Sequence, residues 1–322
     1  MRAKVIGVGS CLPPKVLTNE ELSKMVETSD EWITSRTGIR ERRVADEGTA
    51  TSDLAFIAAE RALSSAKVAA EEIDLIMVAT TSPDWLFPSV ACILQHRLKA
   101  PNAAAFDVSA ACSGFNHALS MAAAFIENGN YQKVLVVGAD TLTKYLDWKD
   151  RSTCILFGDG AGAVVLTASK DGSGVLASWL MAEGHHGHYL IMPGGGSRDP
   201  EMKRGRFIRM DGKEVFRFAV RALEESIKQV LKRAKLKLED VALLIPHQAN
   251  MRIIDHVTKK MGLPKEKVYV NLHKYGNTSA ASIPIALDEA VADGRIKKND
   301  IVIVSGFGAG LTAGANIIRW GE

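Results

Sequence analysis

Short apolar runs alternate with longer amphipathic stretches along the whole chain. Residues 4–8, 75–80, 104–108, 134–137, 163–167, 243–245, 268–270 and 301–304 are rich in Val, Ile, Leu and Ala. Compact apolar runs of this kind read as buried strands. Between them, residues 52–66, 113–128, 214–235 and 280–293 carry apolar positions at helical spacing. Strand–helix alternation predicts an α/β chain whose parallel or mixed sheets are covered on both faces.

The pattern also repeats. SSAKVAAEEIDLIMV and KRAKLKLEDVALLIP superpose Ala66 on Ala234, Lys67 on Lys235, Glu71 on Glu239 and Leu75 on Leu243, an offset of 168 residues. The same offset lays KVLVVG, ending at Gly138, on DIVIVSG, ending at Gly306, and SAACSGF on NTSAASI. A repeat of strand, turn and helix predicts two similar halves, residues 1–170 and 171–322, that bring equivalent loops to one shared cleft.

Composition narrows the class. The chain has 322 residues, and 47% apolar with 24% charged residues excludes a disordered or fibrous protein. Forty basic and 37 acidic residues leave a net charge of +3, too balanced for a nucleic-acid binder. Cys11, Cys92, Cys112 and Cys154 form no CxxC pair, which argues against a disulfide framework or zinc ribbon and for the reducing cytoplasm. The start, MRAKVIGVGSCLPP, is too short in its apolar run for a signal peptide. Two uncharged stretches, 108–126 and 301–318, contain polar residues or glycines and read as buried core, so no membrane span is expected.

Candidate chemistry gathers at strand ends. Cys112 follows the 104–108 strand and opens a helix, where the positive end of the helix dipole favours thiolate. His247 follows the 243–245 strand, and Asn277 lies between a strand and a helix. Loops at strand ends are where α/β sheets build their sites. Two chemistries use such a set. In a papain-like hydrolase the histidine is the base and the asparagine orients it. His247 lies 135 residues after Cys112, which fits, but the CGSCW-type signature is replaced by AACSGF. In thioester acyl transfer, His and Asn are instead neutral donors to a second thioester carbonyl.

Other motifs are weaker. Gly7-x-Gly9, Gly158-x-Gly160-x-Gly162 and Gly308-x-Gly310 lack the dinucleotide or phosphate-loop context and indicate tight turns or close backbone approach. Backbone amides of the 306–310 run could form an oxyanion hole. His185, His186 and His188 have a metal-like composition, but only Glu183 accompanies them, so a polar loop is expected and no metal. Basic residues from 217 to 237, followed by Arg252, Lys259 and Lys260, read either as a solvated face or as a docking patch for an acidic partner.

AACSGF around Cys112, PHQAN around His247 and GNTSAAS around Asn277 resemble the three active-site motifs of the β-ketoacyl-acyl-carrier-protein synthase III family. TSDEWITSRTGIRER and FGDGAGA are similar to that family too, and the likeness runs from Met1 to Trp320. The resemblance implies a thiolase-like fold of two related halves in αβαβα layers. It implies the initiating condensation of fatty acid synthesis: acetyl-CoA or another short acyl-CoA acylates Cys112, then malonyl-acyl carrier protein is decarboxylated and condensed. His247 and Asn277 would hold the malonyl thioester carbonyl, and the N–H groups of Cys112 and Ala309 would form the oxyanion hole. Trp32 and Arg151 match the pair that sandwiches the CoA adenine, beside Thr28. Phe216, Arg217, Ala249 and Asn250 match the pantetheine tunnel and its mouth. Phe87 matches a residue lent to the partner's acyl pocket in a homodimer. Neither metal nor redox cofactor is implied. The motif FGAGLTAG departs from FGGGxTWG at Ala309 and Ala313, and an alanine at 309 resists positive φ. Residues 184–200 do not align clearly and leave open whether primers are short, long, branched or polyketide starters. Thiolases would need a second catalytic cysteine, and elongating synthases a second histidine where Asn277 stands.

Overall fold

The computed structural model describes residues 1–321. Nine strands build its two principal sheets: β1 (Arg2–Cys11), β2 (Leu75–Ala79), β3 (Ala104–Val108), β4 (Lys133–Thr141), β5 (Asp159–Ser169), β6 (Gly174–Ala182), β7 (Val241–Pro246), β8 (Ile301–Gly308) and β9 (Thr312–Arg319). Seven helices matter to the site: α1 (Asp30–Thr37), α2 (Thr51–Ala66), α3 (Val90–Leu98), α4 (Gly114–Glu127), α5 (Gly212–Ala234), α6 (Met251–Met261) and α7 (Ser282–Ala292).

One sheet has the order β1-β5-β4-β2-β3 and the other β7-β8-β9-β6. The β4–β2 and β2–β3 pairs are parallel, as is β7–β8, while the remaining neighbours run antiparallel. Every residue of β2 is buried, and successive side chains serve opposite faces. Met77 enters a cluster shared with both sheets, α4 and α7, whereas Ile76 and Val78 pack with α2 and α3. A third cluster packs α5 and α6 on the far side of the second sheet. The layers are therefore helices, sheet, the α4/α7 pair, sheet, helices: the αβαβα arrangement expected.

Close approach explains the early glycines. A Cβ on Gly7 or Gly9 would lie 2.4 Å from the Ala62 backbone, so these positions let α2 lie directly on β1. The 168-residue offset recurs in the backbone. Lys67 (φ 54°) and Lys235 (φ 56°) end α2 and α5 in the left-handed region, and Ala111 (φ 46°) and Ser279 (φ 52°) do so just before α4 and α7.

Two expectations change. Residues 268–270 form a single bridge, Leu244 to Val268, rather than a strand. Beyond Tyr269 the chain leaves the sheet, because the Asn271 N–H donates to Gln248 Oε1 (3.0 Å) instead of to a ladder carbonyl. Conversely, β6 and β9 escape the sequence pattern. In GVLASWLMA and TAGANIIR small residues interrupt the apolar runs, and pairing with each other, and of β9 with β8, makes them strands. Among the described residues, no helix is long and apolar enough to cross a membrane.

Candidate active site

Cys112 lies in a single turn of 3-10 helix, Ala111–Ser113, between β3 and α4. Gly308 at the end of β8 is packed against this turn. A Cβ there would stand 2.6 Å from the Cys112 backbone nitrogen, so only glycine lets the second sheet reach the Cys112 turn. The Thr312 hydroxyl bridges the two sides, 2.8 Å from Ser113 Oγ, 3.1 Å from Ala110 O and 2.9 Å from Ala309 O. Asn116 Nδ2 donates to Val304 O (3.0 Å) and fastens α4 to β8.

The thiol itself corrects an expectation. Rather than a lowered pKa, burial pushes Cys112 up to about 12, and the Asp140 charge adds to the rise. The buried Ser279 hydroxyl beside the thiol opposes the shift. Cys112 precedes the regular helix by two residues and is only 5% exposed, so desolvation outweighs the dipole.

His247 follows β7 directly. Its N–H donates to Ser305 O (2.7 Å), its Nδ1 lies 2.6 Å from Ser282 Oγ, and the Phe307 ring stands edge-on at 5.3 Å. Full burial lowers its pKa to about 3, which keeps the imidazole neutral at any physiological pH. With Nδ1 engaged, Nε2 is the nitrogen left for a ligand. Asn277 is held by its N–H to Leu156 O (2.8 Å), and its Oδ1 accepts from the Ser279 N–H (2.9 Å). That contact commits the oxygen and leaves Nδ2 as a donor.

Cys112 lines two adjoining cavities. One, of about 80 Å³, also takes His247, Asn277, Phe307, Phe216, Ala249 and Asn250. The other, of about 180 Å³, is walled by Leu142, Tyr145, Phe157, Leu190, Ile191 and Met192, with Ser279 and Ala309 beside the thiol. Residues 190–192 belong to the segment that the sequence could not align, so that segment is a wall of the inner cavity. Ala309 avoids positive φ, and Gly310 takes it instead at 133°, so the alanine causes no strain.

Trp32 on α1 lies under two guanidiniums, Arg151 at 4.9 Å and Arg36 at 4.7 Å. Arg36 was not anticipated, although its position one helical turn after Trp32 puts it on the same face. Arg151 rests on the ring itself, so a base stacking between the two needs Arg151 to swing away. Thr28 Oγ1 is buried nearby in sequence without a partner.

At the tunnel side, the Arg252 guanidinium lies 6.0 Å from the Phe216 ring. Arg217 pairs with Glu214 (2.6 Å) and Lys260 with Glu224 (2.7 Å). Arg252 and Lys259 are exposed and have no carboxylate partner among the described residues. Phe87 lines neither cavity of its own chain. It is 85% exposed next to Leu86 (82%) and Trp85 (63%). Sequence reading also missed Asp140, a buried carboxylate. Its Oδ1 accepts from Thr81 N (2.9 Å) and Ser82 Oγ (2.8 Å), and its Oδ2 from Ala280 N (3.2 Å). It thus ties the loop after β2 to the Asn277 loop.

Comparison with known proteins agrees with this geometry. A family model described as 3-oxoacyl-[acyl-carrier-protein] synthase III matches residues 106–184, and its C-terminal counterpart matches residues 231–320. The β-ketoacyl-[acyl-carrier-protein] synthase III of Caldanaerobacter subterraneus subsp. tengcongensis is 54% identical, covering 99% of this chain and 98% of its own. The crystal structure of 3-oxoacyl-[acyl-carrier-protein] synthase III from Aquifex aeolicus superposes with a TM-score of 0.94 at 51% identity, over 99% of this chain and 100% of that one. A priming β-ketosynthase from the R1128 polyketide pathway gives the same TM-score at 37% identity, over 99% and 96%. With its cysteine, histidine and asparagine on one pair of cavities and relatives of this likeness along its full length, the chain belongs to the β-ketoacyl-acyl-carrier-protein synthase III family of acyltransferases.

Proposed function

We propose that this chain condenses a short acyl-CoA, acetyl-CoA foremost, with malonyl-acyl carrier protein. The products are a β-ketoacyl-acyl carrier protein (acetoacetyl from acetyl), CoA and carbon dioxide, and the reaction starts fatty acid synthesis. The observation that carries this reading is the pairing of a buried nucleophile with a histidine kept neutral by burial. A hydrolytic triad needs that histidine to accept a proton, and a pKa near 3 makes it a poor base.

Cys112 attacks the acyl-CoA carbonyl, and the negative charge that develops on its oxygen is met by the N–H groups of Cys112 and Ala309. CoA leaves as the thiol, and the acyl chain occupies the inner cavity. Malonyl-acyl carrier protein then enters through the tunnel lined by Phe216, Ala249 and Asn250. Loss of carbon dioxide puts charge on the malonyl thioester oxygen, where His247 Nε2–H and Asn277 Nδ2 donate. The resulting carbanion attacks the Cys112 thioester and expels Cys112 as the thiolate, which takes up one proton from water to restore the thiol. Thioester exchange and decarboxylation proceed with these groups alone and call for neither metal nor redox cofactor.

Trp32, Arg151 and Thr28 would hold the CoA adenine, and Arg252 and Lys259, with Arg217 and Lys260, would receive the acidic carrier. The two halves, residues 1–170 and 171–322, would each supply part of the site. The exposed Trp85–Phe87 segment fits a homodimer contact through which Phe87 reaches the partner's inner cavity, and the protein would work in the cytoplasm. A second reading, a longer or branched primer or a polyketide starter, is favoured by the apolar inner cavity of about 180 Å³. Intact mass after exposure to a panel of acyl-CoAs names the primer from the mass added at Cys112.

The function is tested by separating the half-reactions. His247→Ala and Asn277→Ala should lower carbon dioxide release about a hundredfold, the scale of one lost oxyanion donor, while Asn277→Ala still forms the Cys112 thioester. If His247→Ala abolishes thioester formation and water is the final acceptor in the wild type, the chain is a cysteine hydrolase instead.

A further inference from the structure

The EGHHGHY segment folds as a 3-10 turn, Gly184–Tyr189, immediately before the strand Leu190–Ile191 that walls the inner cavity. Within this turn, one ligand atom each from Glu183, His185 and His186 comes within 4.8 Å of the others. We propose that Glu183, His185 and His186 form a binding site for a divalent transition-metal ion of the zinc class, separate from the condensing chemistry.

The donor set selects the ion. Two imidazoles with one carboxylate suit zinc and its neighbours, whereas magnesium and calcium take oxygen ligands. Two metal–ligand bonds of about 2 Å each nearly span the group, so small side-chain rotations close it. The turn already supports this arrangement. His186 N–H donates to Glu183 O (3.0 Å), His186 Nδ1 lies 3.2 Å from Glu183 Oε2, and the two imidazole centres are 3.8 Å apart. The two rings and the carboxylate remain partly or fully exposed, which leaves a path for the ion and for a water as fourth ligand.

Arg221 is the competitor. Its guanidinium takes both Glu183 oxygens, at 2.7 and 2.8 Å, and holds that carboxyl well below the usual range. The ion must displace one of these contacts, and the nearby positive charge weakens it. Removing the guanidinium should therefore tighten metal binding.

The site lies next to the reaction path. Glu183 and Leu311 exchange backbone hydrogen bonds (2.8 and 3.3 Å), two residues from Ala309. On the other side, Leu190, Ile191 and Met192 face the inner cavity. A bound ion would fix the turn that joins these two walls.

The test is isothermal titration of Zn²⁺ into the full chain in a Cys92→Ser background, since Cys92 is an exposed thiol. One ion per chain is expected. His185→Ala and His186→Ala should each weaken binding at least about tenfold, because a three-ligand site loses one donor. Arg221→Ala should bind more tightly than its parent. Hydrogen exchange with Zn²⁺ present should slow in residues 183–191. Parental affinity in either histidine variant, looser binding in Arg221→Ala, or protection confined to other segments would overturn the site. These variants leave Cys112, His247 and Asn277 untouched, so failure here says nothing against the condensing reading.

Discussion

Two side chains in the site are shaped by desolvation more than by their partners, and each makes a prediction. The Cys112 thiol is buried and raised to about 12, while Cys92 is exposed. Iodoacetamide should therefore label Cys92 first, without loss of activity. Inactivation should follow the slower modification of Cys112 and be blocked by acetyl-CoA. Since the thiolate fraction grows about tenfold per pH unit below the pKa, inactivation should keep accelerating through the mildly alkaline range. Inactivation that levels off near neutrality, or that vanishes in Cys92→Ser, would refute this. For His247 the folded pKa is about 3, below the usual value of about 6.5 in the unfolded chain. The unfolded state takes the proton first as pH falls. The stability is fully present above about 6.5 and is lost as pH drops toward 3. Asp159, raised to about 6 by burial, acts in the opposite direction, but it is common to wild type and variant. The Tm advantage of wild type over His247→Gln should shrink between neutral and acid pH. A constant difference would mean that His247 is not buried neutral.

Elements decide which of these groups meet. The α4 and α7 helices begin in equivalent turns, and those turns put Cys112 and Ser279 next to each other on the wall of one cavity. At the tunnel mouth, α5 and α6 carry the basic residues, but the two helices use some of that charge themselves. Glu214 pairs with Arg217, and Glu224 is shared by Lys228 and Lys260, whereas Arg252 and Lys259 are left without a carboxylate partner among the described residues. Exposed rim charges chiefly accelerate association and are screened within about 8 Å at physiological ionic strength. Arg252→Glu should raise the KM for malonyl-acyl carrier protein several-fold at low salt and much less at high salt. Acylation of Cys112 by acetyl-CoA should change little. An equal loss in both half-reactions would return Arg252 to an ordinary solvated face or to the tunnel wall.

At the scale of the whole molecule, the unexplained surface is the Trp85–Leu86–Phe87 segment. Three adjacent large apolar residues at 63, 82 and 85% exposure are a poor surface for a lone chain and a good centre for an interface. If Phe87 enters the partner's inner cavity as proposed, Phe87→Asp should shift sedimentation from dimer to monomer and alter the preferred primer. A wild-type chain that sediments as a monomer would remove that role from Phe87.

Much was legible before any coordinates. The five-residue β3 was read to the residue, because it is short, compact and bounded by turn signals. The repeat foretold the matching turns before α4 and α7, because local backbone geometry follows local sequence. Cys112, His247 and Asn277 were singled out from residue type and the strand-end position of loops, and the fold places all three on one cavity. Other features were decided only by tertiary structure. In β6 and β9 small residues interrupt the apolar pattern, and the ladders of β9 with β6 and β8 fix both as strands. The Cys112 thiol was expected to ionise easily, and its burial between two sheets reverses that. Asp140, Ser279 and Ser282 were missed, since an ordinary polar residue gains its role only from what folding places within about 3 Å of it. The same holds for Glu183, His185 and His186. Their composition hinted at a metal, but only the turn that gathers their ligand atoms makes a site conceivable. Sequence carries periodicity and residue chemistry, whereas desolvation and side-chain proximity are properties of the packed chain.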